Sequence, residues 1–566
     1  MLLSAGLQLA FLLLGSFASA ERELLSTTDG PGQTSINWLA ALGTGSAPID
    51  LADPRLAANT AVTDAEQIHL TFVNSTAVFV SWSTGTAQNT AAPVSLDQIG
   101  TTNTTVGAAN YTVKFGTSPT ALAASQPGYI STYKQVYTGF TNSTTGAYNT
   151  NPALNYTSQS IHHVQLSSLQ PGTKYYYQVP GSYGASPTLN FTMPPAVGNY
   201  PMTLGVIADV GQTSNSSQTW ARMAAQNVQV ATLVGDWTYA DDYLTNGTTV
   251  YYGFPNNTAS PALFPSPIGS YQPRWDSAMR LAQQLIGYVP MIPNSGNHEL
   301  EPLLHGNYFT TQKFGLDSGL QFNSYLSRFP IPYFQSGGQS LFYSVNVGPV
   351  HMIVLNNYEN FLPGSSQYNF LLKDLQAVDR TATPWIIAQW HAPWYSSYTT
   401  HYKETECMRQ SMEQMMYDNG VDIVLNGHLH EYERTKSVYN YTVDPCGIVH
   451  ITMGDGGNIE GLYTTFIDQA PIPSKNCPTP NTLPSYQPGP YCPSFTYDTS
   501  NVYAGYCPTS QPAWSAFREP AFGHGTLTFY NSSVALWQWN RNWDNATEYL
   551  DTTYIIRERS CPNNRF

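Results

Sequence analysis

The chain has 566 residues, which is too long for one hydrophobic core, so two or more domains are expected. Charged residues make up only 10% of it, and the formal net charge is −14 at pH 7. This acidic balance argues against nucleic acid as a partner, because nucleic-acid binding requires a basic face. An anionic substrate would have to be attracted by local charge.

The first twenty residues (1–20) read as a secretory signal peptide. A short apolar stretch ends in the small residues Ala18, Ser19 and Ala20, which is typical of a cleavage site. No later stretch has the about 18 or more apolar residues of a membrane span. The C-terminal residues lack the hydrophobic tail of a lipid-anchor signal. We therefore expect a secreted, extracellular protein with no membrane partner.

Cysteines and glycosylation sequons fit that compartment. None of the cysteines has metal-type CxxC spacing, so disulfides around a loop-rich region are expected, with the pairing left open. The cysteines all lie in the last third of the chain, at Cys407, Cys446, Cys477, Cys492, Cys507 and Cys561. N-linked glycans are expected at many of the Asn-x-Ser/Thr sites. These begin at Asn74, Asn103, Asn110, Asn142, Asn155, Asn190, Asn215, Asn246, Asn256, Asn440, Asn531 and Asn545.

Residues 21–65 form a lead-in with little periodicity, and residues 66–195 then follow the pattern of β-strands. Val78, Val80 and Trp82 alternate with other residues, as expected for a half-buried strand. A later run reads "LSSLQPGTKYYYQV". Its Leu-x-Pro-x-Thr-x-Tyr-x-Tyr pattern resembles the tyrosine-corner region of fibronectin type III domains. An all-β sandwich is therefore predicted here.

After a Pro/Gly-rich linker at 191–201, residues 200–555 follow an α/β pattern. Helical stretches such as "RWDSAMRLAQQLIG" and "CMRQSMEQMMYDNG" separate apolar runs of strand length. Each apolar run ends in a polar group, at Asp209, Asp236, Asn297-His298, His391, and His428 with His430. Because α/β proteins place their sites at the carboxyl ends of strands, these groups are candidates for one site. The segment 465–520, rich in Pro, Tyr and Cys, predicts a surface insertion.

Each of these motifs alone has an ordinary structural interpretation. Asp209 is compatible with a turn, Asn297-His298 with the start of a helix, and His391 with a buried structural histidine. The strongest single motif is "GHLH", because histidines two residues apart project to one side of an extended strand. Five motifs in this order, each at a strand end, are more specific than any one of them.

Together the motifs resemble the metallophosphoesterase superfamily and, within it, the purple acid phosphatases. The family has Asp-x-Gly, Gly-Asp-x-x-Tyr, Gly-Asn-His-Asp/Glu, Val-x-x-His and Gly-His-x-His. This chain has "DVG", "GDWTY", "GNHE", "AQWH" and "GHLH", with Ala388 in place of the valine. "PRWDSAMR", "HEYER" and "AFGHGTLTF" also resemble the large plant and fungal members.

The resemblance implies a fold and a metal centre. The fold would be an α/β catalytic domain, a metallophosphoesterase β-sandwich flanked by helices, after a fibronectin III-like N-terminal domain. The ferric ion would bind Asp209, Tyr239 and His430, and a divalent Zn, Mn or Fe would bind Asn297, His391 and His428, with Asp236 bridging both. Hard anionic oxygens suit a trivalent ion, and neutral amide and imidazole donors suit a divalent one.

The implied function is that of a secreted acid phosphatase, with small phosphate esters as substrates. A metal-bound hydroxide would attack the phosphate monoester, with Asn297, His298 and His401 binding the substrate. His298 and His401 would be the catalytic side chains, and His298 is the stronger candidate for the general acid. Thr400 stands where larger plant members often have a second histidine, which leaves the substrate preference open.

Three alternatives remain at this point. The chain could be a phytase-directed member of the superfamily, or one that cleaves phosphodiesters or nucleotides. It could also be a binding or wall-associated protein with a dead site, although every ligand position is filled. A structural metal protein is the third reading, and mixed oxygen and nitrogen ligation around two ions argues against it. The second metal, the natural ester and the oligomeric state, a homodimer included, stay open.

Overall fold

A computed structural model describes residues 47–58, 64–91, 102–106, 111–137, 154–243, 271–301, 322–468, 511–544, 548–557 and 561. The predicted signal peptide, most of the lead-in and most of the predicted insertion lie outside these residues. Within the described ranges, no helix is long and apolar enough to cross a membrane.

The N-terminal region consists of β-strands, as the alternating pattern predicts. Trp82 is fully buried, and Tyr175 and Tyr177 alternate with exposed or half-buried neighbours. The hydroxyl of Tyr175 accepts a hydrogen bond from the backbone N–H of Gln170 at 2.9 Å, which is the contact that defines a tyrosine corner. The strands are β1 Glu66–Asn74, β2 Ala77–Thr84, β3 Gln88–Ala91, β4 Thr102–Val106, β5 Val113–Gly116, β6 Ala124–Gln126, β7 Tyr129–Tyr137, β8 Leu154–Thr157, β9 Ser160–Leu166, β10 Lys174–Gln178 and β11 Leu189–Thr192.

The region from residue 200 onward, the predicted α/β domain, alternates strands with helices. Two of its helices fall on the stretches with predicted helical character. Its strands are β12 Met202–Ile207, β13 Val230–Val234, β14 Met291–Asn294, β15 Tyr343–Val347, β16 Val350–Val354, β17 Trp385–Gln389, β18 Ile423–Asn426, β19 Tyr432–Thr435, β20 Val438–Tyr439, β21 Thr442–Val443, β22 Val449–Met453, β23 Ser515–Glu519, β24 Gly523–Phe529, β25 Val534–Arg541 and β26 Asp551–Ile556. Its helices are α1 Ser214–Ala224, α2 Pro273–Ile286, α3 Asn323–Arg328, α4 Ser366–Ala377 and α5 Glu406–Asp418.

Two large sheets carry the fold. In the first, β12, β13 and β14 are parallel neighbours, flanked on one side by the antiparallel strands β24, β25 and β26. In the second, β16, β17, β18 and β22 are parallel and β15, β19 and β23 complete the sheet. Every residue of β13, β17 and β18 is buried, as expected for parallel strands that are covered on both faces.

The first sheet continues from the α/β region into the N-terminal region. Strand β1 pairs in parallel with β14, with Thr71 opposite Met291, and β2 and β9 extend the sheet further. Across the Pro/Gly-rich linker at 191–201, hydrogen bonds of this one sheet therefore join the two regions. The physical reason is that β14 would otherwise be an open edge, and β1 satisfies its backbone groups.

One core lies between the two sheets. Leu233 and Val206 of the first sheet and Ile387 and Leu425 of the second belong to the same buried cluster. A second cluster, in which Met412 of α5 takes part, covers the other face of the second sheet. This packing brings the carboxyl ends of β12, β13, β14, β17 and β18 to one place.

A disulfide closes the C-terminal region. Cys446 and Cys561 are bonded across 115 residues of sequence, and Cys407 is also disulfide-bonded. Cys477, Cys492 and Cys507 lie outside the described residues. No described cysteine is free.

Candidate metal centre

The predicted ligands come together at the carboxyl ends of the central strands. Six of the seven are almost completely buried, and Asn297 is half-buried. Asp209 follows β12, Asp236 and Tyr239 follow β13, Asn297 follows β14, His391 follows β17, and His428 and His430 follow β18. The structure therefore brings these seven side chains to one end of the two sheets.

One half of the centre surrounds the phenol of Tyr239. Its hydroxyl donates to Asp209 Oδ1 at 3.1 Å and lies 3.0 Å from His430 Nε2. Asp236 Oδ2 is 3.5 Å from the same hydroxyl. This half therefore offers three oxygen donors and one nitrogen.

The other half is built from neutral donors and the same aspartate. His391 Nε2 lies 2.8 Å from Asp236 Oδ2 and 3.1 Å from Asn297 Oδ1. His428 Nδ1 lies 2.9 Å from Asn297 Oδ1. Because Asp236 Oδ2 reaches both Tyr239 and His391, this carboxylate stands between the two halves.

Two of the three histidines are oriented by a hydrogen bond of their outer nitrogen. His391 Nδ1 is 2.8 Å from the carbonyl of Val234, and His430 Nδ1 is 3.0 Å from the carbonyl of Gly461, so both rings present Nε2 to the centre. His428 is reversed: Nδ1 faces Asn297, while Nε2 is 3.4 Å from Glu404 Oε1. Outer partners of this kind fix the tautomer of a metal-binding histidine.

The "GHLH" motif does not form the extended strand that the sequence predicted. Strand β18 ends at Asn426, and His428 has a left-handed backbone with φ 69°. His428 and His430 consequently reach different halves of the centre. The reason is a hydrogen bond from the His428 backbone N–H to the Asp209 carboxylate at 2.8 Å, which turns the chain there.

Left-handed backbone is concentrated at this centre. Besides His428, the φ angles of Asp209, Asp236 and Tyr239 are 53°, 57° and 51°. Such conformations cost roughly 1–3 kcal/mol per residue and persist only where surrounding contacts impose them. The clustering itself indicates a functional site.

Two motif glycines let the backbone approach the carboxylates. A Cβ atom on Gly296 would lie 2.1 Å from Asp236 Oδ1, and one on Gly427 would lie 2.3 Å from Asp209 Oδ2. Neither neighbour is a flexible chain end, because both aspartates are fully buried. The glycines of "GNHE" and "GHLH" are therefore required by close packing against the acidic ligands.

Glu299 joins the loops after β13 and β14. Its buried carboxylate accepts backbone N–H groups of Asp236 and Trp237, both at 2.8 Å, and of Gly296 at 2.7 Å. The sequence motif included this residue, but no role was predicted for it. It holds Asp236 against the segment that carries Asn297.

The electrostatics of the centre call for cations. Burial raises the pKa of Asp209 and of Tyr239 well above their ordinary values, and the two aspartates raise that of Tyr239 further. Burial also opposes ionisation of Asp236, but His391 and His298 outweigh it and lower its pKa. Among the described residues, no lysine or arginine forms an ion pair with either aspartate.

The donor set fits two metal ions. When two ligand atoms each lie about 2.1 Å from the same ion and form a right angle at it, the two atoms are about 3 Å apart. The separations in both halves, between 2.8 and 3.5 Å, match that geometry. Asp209, Tyr239 and His430 could hold one ion, Asn297, His391 and His428 a second, and Asp236 both.

His298 stands at the mouth of the centre and is 8% exposed. Its Nδ1 is 2.9 Å from both carboxylate oxygens of Asp241, and its Nε2 lies 3.9 Å from Asp236 Oδ2 and from Glu460 Oε1. Burial lowers the pKa of His298, but Asp241 and Asp236 outweigh it and raise that pKa well above its ordinary value. The protonated form of the His298 ring is thus favoured.

His401 lies on another side of the mouth, beside His428. The ring centroids of the two histidines are 4.2 Å apart, and the His401 side chain is 30% exposed. Nδ1 of His401 bonds to Glu404, whose other oxygen faces His428. Burial lowers the pKa of His401, and Glu404 raises it above its ordinary value.

The sequence reasoning missed Asp241, Glu404, Glu460 and Tyr463. Tyr463 stacks on the His430 ring at 4.5 Å, and its hydroxyl is 3.5 Å from His401 Nε2. Asp241 and Glu404 each lie within three residues of a predicted site residue, which is the only signal that the sequence offered. Isolated carboxylates at that spacing are too common to predict a role.

Comparisons with known proteins agree with this geometry. Residues 202–432 match the Calcineurin-like phosphoesterase family, and residues 65–193 match the Purple acid Phosphatase N-terminal domain. Residues 498–552 match the Iron/zinc purple acid phosphatase-like protein C family.

Individual relatives cover most of the chain. Purple acid phosphatase 15 of Arabidopsis thaliana is 38% identical over 566 residues, which span 98% of both chains. Phosphoenolpyruvate phosphatase of Allium cepa is 33% identical and covers 72% of both chains. A purple acid phosphatase structure from yellow lupin (Lupinus luteus) seeds has TM-score 0.56 at 19% identity over 88% of this chain and 75% of that one, which shows a shared fold.

These findings confirm the family, the fold class and the enzyme class that the five motifs imply. The matched regions follow one another along the chain, and a relative well above 30% identity spans nearly all of it. The chain belongs to the purple acid phosphatase family of phosphoesterases.

Proposed function

We propose that this chain is a secreted acid phosphatase that hydrolyses phosphate monoesters at a centre of one ferric and one divalent ion. The position of Tyr239 carries the proposal. Its hydroxyl lies among two carboxylates and an imidazole, with no solvent exposure. Hard anionic oxygens in that number suit a trivalent cation, which would also stabilise the ionised phenol.

The second half supports a divalent partner, Zn, Mn or Fe. Its donors Asn297, His391 and His428 are neutral, and only Asp236 brings negative charge. When bound, the ferric and the divalent ion together would orient a phosphoryl group and lower the pKa of a water molecule. The chain's own residues then have to bind the ester and supply a proton.

His298 is proposed as the general acid. Asp241 holds Nδ1, so Nε2 is left to face the mouth of the centre and to protonate the leaving alkoxide oxygen. The imidazole is later reprotonated from solvent. Positioned proton transfer contributes typically ~10²–10⁴-fold to catalysis, most for alcohols that leave poorly.

His401 is proposed to orient the phosphate oxygens. Glu404 fixes its Nδ1, and the hydroxyl of Tyr463 lies near its Nε2. Thr400, beside it, contributes no second imidazole. Asn297 is proposed to serve both the divalent ion and the substrate, since its amide is half-buried at the mouth.

The natural ester is proposed at the level of small phosphate monoesters. Phosphoenolpyruvate joins phytate, nucleotides and sugar phosphates as a candidate, because one relative is named for its action on it. Secretion rests on the signal-peptide pattern at 1–20. N-linked glycans are proposed at exposed sequons, of which Asn440 and Asn531 are examples in the described residues.

The test is the colour and metal content of the purified protein. A ferric phenolate absorbs visible light by charge transfer, so the oxidised protein should be purple or pink and contain iron. Tyr239→Phe should remove the band. Tyr463→Phe is the matched control, since its phenol stacks on His430 but its hydroxyl faces His401.

The control should keep the band and the iron. A colourless protein that carries iron and hydrolyses nitrophenyl phosphate in acid would contradict the ferric assignment to Tyr239. Metal-loaded protein without activity on any phosphate monoester would contradict the function itself.

A further inference from the structure

The N-terminal domain supports the strand that leads to Asn297 and His298. Strand β14 lies between β13 of the catalytic domain and β1 of the N-terminal domain. It ends at Asn294, three residues before Asn297. Half of the strand's neighbours therefore come from the N-terminal domain.

A buried side-chain path reaches the same segment from its other end. The Tyr133 hydroxyl, in the N-terminal domain, donates to Gln272 Oε1 at 2.9 Å, and Gln272 Nε2 donates to Glu301 Oε1 at 2.6 Å. Glu301 Oε2 accepts the backbone N–H of Ser324 at 2.9 Å. Tyr133 and Gln272 are fully buried, and Glu301 is 2% exposed.

Glu301 terminates the short segment that carries both site residues. Within it, the N–H of Leu300 donates to the carbonyl of Asn297 at 3.1 Å. Glu299 fixes the middle through its bonds to the β13 loop. A shift of Glu301 would therefore pass along a tightly bonded turn to His298.

We propose that Tyr133 is a positioning residue for His298, which acts through Gln272 and Glu301. The N-terminal domain is then part of the catalytic machinery as well as a neighbour of it. The inference rests on the proposed function, because it assigns the proton donation to His298.

A matched pair of tyrosines allows the test. Tyr156 lies in the same domain and is also fully buried, and its hydroxyl donates to Asp276 at 2.9 and 3.0 Å. Tyr133→Phe and Tyr156→Phe each remove one buried hydroxyl, so both should lower the melting temperature, Tyr133→Phe by more because its hydroxyl also accepts a hydrogen bond from Arg328. Only Tyr133→Phe breaks the path to Glu301.

The readout is the ratio of kcat/KM for an alkyl phosphate to that for nitrophenyl phosphate, with metal content checked. Nitrophenolate leaves without an acid, so the ratio reports the placement of His298. Tyr133→Phe should lower it by roughly 2- to 12-fold, which corresponds to one net hydrogen bond. Tyr156→Phe should leave it unchanged.

If Tyr133→Phe does not fold, Glu301→Gln tests the same path. Both carboxylate oxygens of Glu301 accept hydrogen bonds, from Gln272 and from the backbone N–H of Ser324, and the NH₂ group of a glutamine cannot accept either one. The positioning role would be overturned if the wild type is active and the Tyr133→Phe and Tyr156→Phe variants change the ratio of kcat/KM values equally, or do not change it. A metal-loaded wild type that is inactive on both esters would instead refute the proposed function.

Discussion

Replacement of Asp241 by asparagine separates the charge of its carboxylate from its geometry. In Asp241→Asn the amide oxygen can still accept a hydrogen bond from His298 Nδ1, which lies 2.9 Å from the present oxygens. A bond to a charged group is worth about 1.5–3 kcal/mol and a neutral one about 0.5–1.5 kcal/mol. Loss of about 1–1.5 kcal/mol from this stabilisation of the protonated ring lowers the protonated fraction of His298 about 5- to 13-fold at pH above its pKa, and kcat for alkyl phosphates should fall with it.

The pH profile of the same variant tests independently whether the Asp241 charge raises the pKa of His298. Although burial lowers the pKa of His298, Asp241 raises it, so the proposed general acid is protonated below that raised pKa. Removal of the charge lowers the pKa. The alkaline limb of the alkyl-phosphate profile should therefore move to lower pH in Asp241→Asn.

Asp242→Asn is the control for this experiment. Asp242 lies in the same cluster, with ligand atoms within 4.8 Å of those of His298 and Asp241, but the described contacts show no hydrogen bond between Asp242 and His298. Its replacement should have a smaller effect on both readouts. Equal losses on alkyl and nitrophenyl esters in Asp241→Asn, with an unmoved alkaline limb, would refute the reasoning.

Two further predictions concern the metal centre and acid stability. Gly427→Ala should abolish metal binding, measured by elemental analysis, because its Cβ would lie 2.3 Å from Asp209 Oδ2; a fully loaded variant would contradict this. Burial lowers the pKa of His163 to about 3, so the unfolded state binds a proton from pH ~6.5 downward and stability falls as pH falls through that range. From pH 7 to pH 5 the free energy of unfolding, measured by denaturant titration, should fall by about 2 kcal/mol less in His163→Gln than in the wild type. Equal decreases would contradict the lowered pKa of His163.

Much of the centre could be predicted because strand ends are visible in the sequence. Asp209, Asp236 and His391 each follow an apolar run of strand length, and parallel strands bring their carboxyl ends to one edge. The conformation of the motifs could not be predicted in the same way. His428 departs from an extended strand because a backbone hydrogen bond to Asp209 turns the chain, and that contact joins residues far apart in sequence.

The carboxylates that support the site residues could not be predicted from the sequence for a related reason. In the sequence, nothing distinguishes the carboxylates of Asp241, Glu299 and Glu404 from those of other loop residues. Their roles depend on which histidine ring or backbone N–H group faces them in the fold. The pairing of β1 with β14 joins Thr71 to Met291 across most of the N-terminal domain and the first part of the catalytic domain. Neither strand shows in its own residues that the other is its neighbour.

That pairing also shapes how the chain must be made. Thr71 and Met291 are 220 positions apart (291 − 71), so at ~5–20 residues per second β1 emerges roughly 10 to 45 s before its partner. During that interval β1, whose residues are nearly all buried in the finished fold, presents an unpaired strand edge. Fragments that end before Met291 should therefore self-associate. The strand that supports Asn297 and His298 in the folded protein should therefore be an aggregation hazard during synthesis.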